Sequence, residues 1–252
     1  MVTVRADADW DEGWWYEGGG IYRHVWLTKL DPLHVGHWGT YVTTPDITDD
    51  LAAVNIKTTV VNESSEAIES TLISTIVDME GNTVATTEAV ESISAGEELE
   101  FSQDVAIQNP TLWSLENPYL YKVETTVQSG ERVTDQYETT FGARYFRFDG
   151  DGFFLNGKHV KINGANLHTD FAGVGTALPD RVNAYRIEKL KEMGANAYRT
   201  AHNPPAPEIL DACDRLGILV ADENRHMGDS DEVWNPTCLE LRRVLWGMGL
   251  PW

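Results

Sequence analysis

The spacing of apolar residues changes near residue 142, and this change limits the folds open to the chain. Before it, apolar and polar residues alternate, as in Val54, Ile56, Thr58 and Val60, and this period of two predicts a strand with one buried face. After it, segments of helical spacing alternate with short apolar runs, which is typical of βα units and a parallel sheet. We therefore predict a multidomain α+β protein, with a β-sandwich followed by a βα segment.

Residues 46–141 contain six or seven short strand candidates separated by turn signals. One turn is predicted at Met79-Glu80-Gly81-Asn82 and another at Gly130, between runs rich in β-branched residues. This pattern predicts an immunoglobulin-like sandwich with Trp113 and Tyr121 in its core. The prediction rests on patterning alone, because the segment lacks the paired cysteines of antibody domains.

Residues 142–252 begin with a hairpin that turns at Asn156-Gly157 and continue with two predicted helices. The first is DRVNAYRIEKLKEMG, with Asp180 as the expected N-cap and Gly194 as the stop. The second is Pro207–Leu216, ended by Gly217, and the apolar runs 195–201 and 218–221 are predicted strands. A closed eight-stranded α/β barrel needs roughly 250 residues. We therefore expect this segment to form an incomplete (β/α) barrel.

Residues 1–45 are rich in aromatic residues and glycine. The run Gly18-Gly19-Gly20 leads into IYRHVWLTKL, which predicts a glycine turn followed by a strand. This is too little material for an independent domain. The sequence therefore predicts three parts, at 1–45, 46–141 and 142–252.

The charge balance excludes several classes of function. The chain has 40 acidic and 19 basic side chains, and a formal net charge of −21 argues against binding to a nucleic-acid backbone. No run of about 18 apolar residues predicts a membrane span, and the N-terminus does not resemble a secretory signal. Two cysteines, Cys213 and Cys238, suit a reducing compartment. A cytoplasmic location is the expectation.

Two interpretations of the acidity remain open. A solvated, self-repelling surface keeps a protein soluble. An acidic surface with few lysines also suits a cytoplasm of high salt concentration, where screening over a few ångströms removes the self-repulsion.

Two long motifs stand out in the second half of the chain, FGARYFRFDGDGFFLNGKHVKINGANLHTD and NAYRTAHNPPAPEILDACDRLGILVADE. In this order they are similar to glycoside hydrolase family 2, in particular to its β-galactosidase members. GGGIYRHVWL resembles the end of the family's jelly-roll sugar-binding domain, and NPTLWSLENPYLY resembles the closing strands of its immunoglobulin-like domain. The resemblance implies that 1–45 is a jelly-roll remnant and that 142–252 is the N-terminal part of a (β/α)8 barrel.

Polar residues end three successive predicted strands, where parallel α/β folds gather their binding groups. The resemblance implies galactoside contacts for His168 and His202, and a role for Arg199 in organising the site floor. The predicted substrate-binding residues are Asn166, His168, Arg199, His202, Asn203 and Glu223. An alternative stays open for Arg199 and Glu223, namely a buried ion pair that only supports the barrel.

The carboxyl groups needed for glycosidase chemistry are not evident in the sequence. Retaining enzymes use two carboxyl groups about 5–5.5 Å apart, whereas the adjacent Asp222 and Glu223 should point to opposite faces of their strand. The family's acid/base belongs to an Asn-Glu pair, and the only such pair here is Asn62-Glu63 in a predicted turn. We therefore predict no catalytic residue. We also predict no metal and no cofactor, since His226 and Asp229 do not match the magnesium ligands of some members.

The resulting expectation is a truncated β-galactosidase-like hydrolase whose full-length relatives hydrolyse terminal β-galactosides with retention. The alternative is a non-catalytic module that binds carbohydrate or promotes oligomerisation. The expected partner molecule is a β-galactoside or related carbohydrate. Open sheet edges also predict a homo-oligomer, with Trp246, Leu250 and Trp252 packing into a partner chain.

Overall fold

The computed structural model describes residues 1–5, 20–48, 50–201 and 204–223. The chain divides into two compact units. The sandwich unit is Thr28–Lys161, and the βα unit combines Met1–Leu27 with Ile162–Trp252. Among the described residues, no helix has the length and apolar character needed to cross a membrane.

Seven strands of the sandwich unit form two antiparallel sheets. One sheet has the order β1-β2-β5 and the other has the order β4-β3-β6-β7. Their bounds are β1 (Leu33–Ile47), β2 (Leu51–Asn62), β3 (Ile68–Val77), β4 (Thr83–Ile93), β5 (Glu98–Gln108), β6 (Tyr121–Ser129) and β7 (Arg132–Phe141). The predicted immunoglobulin-like sandwich is confirmed. Its first strand begins at Leu33, ahead of residue 46, where the sequence pattern places the start of the sandwich.

The core of the sandwich lies between the inward faces of the two sheets. Val54 and Ile56 of β2 pack with Ile76 of β3 and Val123 of β6, and all four are essentially inaccessible to solvent. Buried and partly exposed residues alternate along the whole of β2, as the period of two predicts. Trp113 and Tyr121 are buried, which confirms their predicted place.

A third, small antiparallel sheet completes the described part of the sandwich unit. It consists of β8 (Phe146–Asp149), β9 (Gly152–Leu155) and β10 (Lys158–His159) in the order β10-β9-β8. The turn between β9 and β10 has positive φ at Asn156 (49°) and Gly157 (75°), the pair of conformations that a tight hairpin turn requires. The predicted turn is therefore confirmed, while the sequence pattern did not predict β8.

The βα unit contains three short parallel strands in the order β11-β12-β13, connected through two helices. In chain order the elements are β11 (Gly164–Leu167), α1 (Asp180–Glu192), β12 (Ala197–Thr200), α2 (Pro207–Leu216) and β13 (Leu219–Ala221). The helices pack on the strands through a shared core of Ile187, Leu190, Tyr198, Ile209, Ala212, Cys213 and Ile218. The predicted incomplete barrel segment is confirmed.

Two local predictions for this unit are wrong. The segment 21–30 is not a strand, because it pairs with no strand among the described residues. Asp180 is not the N-cap of α1, since Pro179 takes that position without a side-chain cap. The segment is held by side-chain contacts instead of a β ladder, since His24 Nε2 forms a 2.7 Å hydrogen bond with Asp180 Oδ1.

Candidate functional site

The parallel register brings the predicted site residues to one edge of the β11-β12-β13 sheet. Asn166 of β11 is the register partner of Arg199 of β12, and Arg199 is in turn the partner of Ala221. Because the three strands are parallel, their carboxyl ends lie at the same edge. We call Asn166, His168, Arg199 and Glu223, with Asp222, the strand-end cluster.

Arg199 and Glu223 form an ion pair within this cluster. Arg199 Nη2 lies 2.8 Å from Glu223 Oε2, and the two side chains are 43% and 27% exposed. The pair that the alternative interpretation expects is therefore present, but it is accessible to solvent. A charge-assisted contact of this kind fixes the plane of the guanidinium and leaves its remaining N–H groups able to donate to a ligand.

Thr200 of β12 binds the two residues that follow β13. Its buried hydroxyl donates to Asp222 Oδ1 at 3.1 Å and accepts from the backbone N–H of Glu223 at 2.7 Å. Successive residues of a strand point to opposite faces. Arg199 therefore pairs with Glu223 on one face, and Thr200 bonds to Asp222 on the other. Burial raises the pKa of Asp222, while the hydrogen bond from Thr200 opposes that rise.

Two predicted residues of the cluster are held less tightly. Asn166 is exposed and His168 is partly buried. The carbonyl oxygen of His168 accepts a hydrogen bond from the guanidinium of Arg186 on α1, which fixes the backbone just after β11. His202 and Asn203 lie outside the described residues, and so do His226, Asp229, Cys238, Trp246, Leu250 and Trp252.

The segment 20–27 contacts the same end of the βα unit. Arg23 donates from Nη2 to the carbonyl oxygen of Pro204 at 2.7 Å and from Nη1 to that of Pro205 at 3.2 Å. These two prolines follow directly after His202 and Asn203 in the chain. The side chain of Arg23 therefore binds the backbone of the loop between β12 and α2.

His24 joins the segment 20–27 to both helices. Its Nε2 lies 2.7 Å from Asp180 Oδ1 and 3.6 Å from Glu208 Oε1. Asp180 and Glu208 are the acidic residues in the first turns of α1 and α2. The hydrogen bond with Asp180 is the main cause that raises the pKa of His24.

A cavity of about 300 Å³ lies between the segment 20–27, the loop after β11 and the first turns of the two helices. Its polar lining includes Tyr22, Arg23, His24, Asp180, Asn183 and Glu208. Sequence reasoning missed this cavity, because its residues come from three distant stretches of the chain. The only local signal was an acidic residue at each helix start, which is common in helices generally.

Cys213 is not a candidate nucleophile. It lies on the buried face of α2, and burial raises the pKa of its thiol to about 12. The thiol is therefore protonated at neutral pH and acts as a small apolar core residue.

Comparison with known proteins matches both units of the chain to one family. Residues 34–144 match the model of glycosyl hydrolases family 2, and residues 146–237 match the TIM barrel domain of the same family. A beta-galactosidase, BoGH2A, from Bacteroides ovatus is 45% identical over 225 residues, which are 88% of this chain and 26% of that protein. A beta-glucuronidase from Formosa agariphila is 33% identical over 89% of this chain and 24% of its own length.

Solved structures agree with these relatives. A glycosyl hydrolase family 2 member from Bacteroides cellulosilyticus superposes with a TM-score of 0.85 at 36% identity, over 96% of this chain and 33% of that one. A beta-glucuronidase from Bacteroides uniformis gives a TM-score of 0.78 at 35% identity, over 85% of this chain and 27% of that one. The chain thus spans about a quarter of the length of the curated relatives it matches.

Proposed function

Because the chain belongs to glycosyl hydrolase family 2, we propose that it supplies part of a retaining β-glycosidase that acts on terminal β-galactosides. The preference for a galactoside over a glucuronide is supported by the relative of 45% identity, which is a beta-galactosidase. Other relatives are beta-glucuronidases, and this supports the broader proposal that the substrate is a β-glycoside.

The observation that carries this proposal is the strand-end cluster. Asn166, Arg199 and Glu223 line one edge of the parallel sheet, with Arg199 oriented by its 2.8 Å contact to Glu223. An amide, a guanidinium and a carboxylate together offer both donors and acceptors, which is what the hydroxyl groups of a sugar require. His168, His202 and Asn203 complete the proposed contact set.

The carboxyl groups that perform the chemistry are proposed to lie outside this contact set. Retaining hydrolysis requires an acid/base and a nucleophile about 5–5.5 Å apart across the glycosidic bond. Asp222 and Glu223 are committed to Thr200 and Arg199 on different faces of β12. The cluster therefore binds and orients the sugar, and this chain by itself is expected to give no turnover.

Hydrolysis of chromogenic β-galactosides and β-glucuronides by the purified 252-residue chain tests that expectation. The predicted result is a rate equal to the buffer blank. Turnover that disappears in both Asp222→Asn and Glu223→Gln, while Asp151→Asn retains it, would contradict the assignment of the catalytic carboxyl groups to residues outside the cluster.

Binding tests the cluster directly. Titration of the ¹⁵N-labelled chain with a non-hydrolysable thio-β-galactoside should shift the amide resonances of 166–168, 199–200 and 222–223. Asn166→Ala should weaken binding, since Asn166 is exposed and its loss leaves no buried gap. Gln136→Ala removes an exposed amide from the sandwich unit and should bind like the parent. Shifts confined to other residues, or equal effects of the two variants, would overturn the proposal.

A homo-oligomer is also proposed. The described part of the β11-β12-β13 sheet ends in two edge strands, and Gly164, Ala165 and Asn166 of β11 are exposed. Exposed strand edges favour pairing with another chain. Light scattering at micromolar concentration should give a mass above that of one chain, and a monodisperse monomer would contradict the proposal.

A further inference from the structure

Three side chains with metal-ligating atoms meet in the cavity beside the segment 20–27. The ligand atoms of His24, Asp180 and Glu208 all lie within 4.8 Å of one another. His24 Nε2 is 2.7 Å from Asp180 and 3.6 Å from Glu208. Neighbouring ligands of a cation with bonds of about 2.1 Å lie about 3 Å apart. Small rotations of these side chains would therefore let all three contact one ion.

Asn183 adds a fourth polar side chain that opens onto the same cavity. It follows Asp180 by three residues on α1, so both side chains lie on the same face of the helix. Asn183 lines the cavity and is only 4% exposed. Within the described part of the chain no hydrogen bond from its side-chain amide is found, and the amide is not among the polar atoms closed off from solvent, so it opens onto the cavity. A ligand or a water molecule in the cavity can therefore bind it.

We propose that His24, Asp180 and Glu208, together with the amide oxygen of Asn183, bind a first-row divalent cation such as Mn²⁺ or Zn²⁺. One imidazole nitrogen and two carboxylates suit these ions, because imidazole favours transition metals over Mg²⁺ and Ca²⁺. The two carboxylates balance the charge of the ion. The guanidinium of the nearby Arg23 is directed at the carbonyl oxygens of Pro204 and Pro205.

The ion would join three parts of the βα unit that are distant in sequence. His24 belongs to the segment 20–27, while Asp180 and Glu208 lie in the first turns of α1 and α2. The segment also holds the loop at Pro204 through Arg23. Cation binding should therefore stabilise the N-terminal segment against both helices. This site is separate from the strand-end cluster and does not depend on the proposed glycosidase function.

Titration of the metal-free 252-residue chain with MnCl₂, followed by calorimetry at physiological ionic strength, tests the proposal. One saturable site is expected, and binding should raise the unfolding temperature because the ion binds only the folded state. Bound Mn²⁺ should broaden the amide resonances of Arg23, His24, Asp180 and Glu208 first. Broadening spread over the acidic surface, with no saturable site, would overturn the proposal.

Two charge-matched variants separate a specific site from diffuse attraction to an acidic protein. Glu208→Gln should weaken Mn²⁺ binding by at least about tenfold, the cost of removing even an outer partner of a metal ligand. Glu192→Gln removes one exposed carboxylate of α1 that pairs with Lys189 instead, and it should bind like the parent. Equal weakening in both variants would mean that only the net charge matters.

Asn183→Leu distinguishes a ligand from a structural residue. Removal of a buried amide that has no partner in the described fold should leave the stability of the metal-free chain unchanged or higher. The same change should weaken Mn²⁺ binding, because the amide oxygen is lost. A variant that unfolds more easily yet binds Mn²⁺ normally would assign Asn183 a packing role and remove it from the site.

Discussion

At the scale of single residues, Thr200 holds two members of the strand-end cluster in position. Its hydroxyl serves Asp222 and the backbone of Glu223 at once, and its side chain is buried. Thr200→Val keeps the shape of the side chain but leaves a partly buried N–H and a partly buried carboxyl without their partner. We expect the free energy of unfolding to fall by about 1–3 kcal/mol. Urea denaturation measures it.

The same substitution should change the protonation of Asp222. Burial raises the pKa of this carboxyl and the hydrogen bond from Thr200 lowers it, so Thr200→Val should raise the pKa further. A carbon-detected NMR titration of the Asp222 carboxyl reports it. Thr200→Ser retains the hydroxyl and serves as the control. Identical stability and pKa in the Val and Ser variants would show that the hydroxyl is not needed.

Asp31 gives a pH-dependent contribution to the sandwich unit. Arg132 donates to both oxygens of Asp31, at 2.7 and 3.2 Å, and this contact holds the pKa of Asp31 below its usual range. The stabilisation is therefore fully present above the unfolded pKa of about 4 and is lost as the pH falls through the folded pKa. Asp31→Asn should lower the melting temperature at neutral pH, and the difference should shrink toward strongly acid pH.

Asp151→Asn is the control for that measurement, since Asp151 is an exposed carboxylate that pairs with no basic residue in the described structure. It removes the same charge and should leave the melting temperature nearly unchanged at every pH. A gap between Asp31→Asn and the parent that stays constant down to acid pH would show that the ion pair is not its cause.

Sequence reasoning located the strand-end residues and offered the pairing of Arg199 with Glu223, but it missed the contact of His24 with Asp180. Arg199 and Glu223 could be placed at one sheet edge because parallel strands end together, and the structure has them 2.8 Å apart. The contact of His24 with Asp180 joins residues 156 positions apart, outside any regular element at one end. The spacing of apolar residues cannot predict such a contact, because the contact depends on the path of an irregular segment.

At the scale of elements, the predicted stops of the helices are located accurately. Gly194 follows α1 with a φ of 84°, and Gly217 ends α2 with a φ of 69°, a conformation that glycine adopts without strain. Strand prediction failed for 21–30, because a strand is defined by its neighbour. Periodicity in IYRHVWLTKL describes only the segment, and no described strand pairs with it.

Gly164 allows β11 and β12 to approach each other closely, because it has no Cβ atom. A Cβ atom at this position would lie 2.5 Å from the carbonyl oxygen of Ala197, its register partner. Gly164→Ala should therefore push the strands apart and lower the free energy of unfolding by about 1–3 kcal/mol. Hydrogen exchange should rise in β11 and β12, which carry Asn166 and Arg199.

Gly150→Ala is the matched control, because a Cβ atom there meets no atom within 4 Å and the φ is not in the left-handed region. The unfolded chain loses conformational freedom in both variants alike. Gly150→Ala should be neutral or slightly stabilising. If the two variants prove equally stable, the close approach of β11 to β12 is not a constraint on the fold.

At the scale of the whole molecule, the balance of 40 acidic against 19 basic side chains sets the response to salt. A net charge of −21 on one chain produces repulsion among exposed carboxylates. Molar KCl reduces the screening length to about 3 Å, shorter than most distances between surface charges. We therefore expect the melting temperature to rise from dilute buffer to molar KCl.

The screening origin of that rise can be separated from general salt effects. Glu88 and Glu91 are both exposed on β4, and the double variant Glu88→Gln, Glu91→Gln lowers the net negative charge without changing a core residue. Its melting temperature should exceed that of the parent in dilute buffer and converge with it in molar KCl. Local pairs such as Asp31 with Arg132 weaken under the same screening, so the sign of the overall change reports which effect dominates. A melting temperature that is indifferent to salt would leave the acidic surface as a solubility feature only.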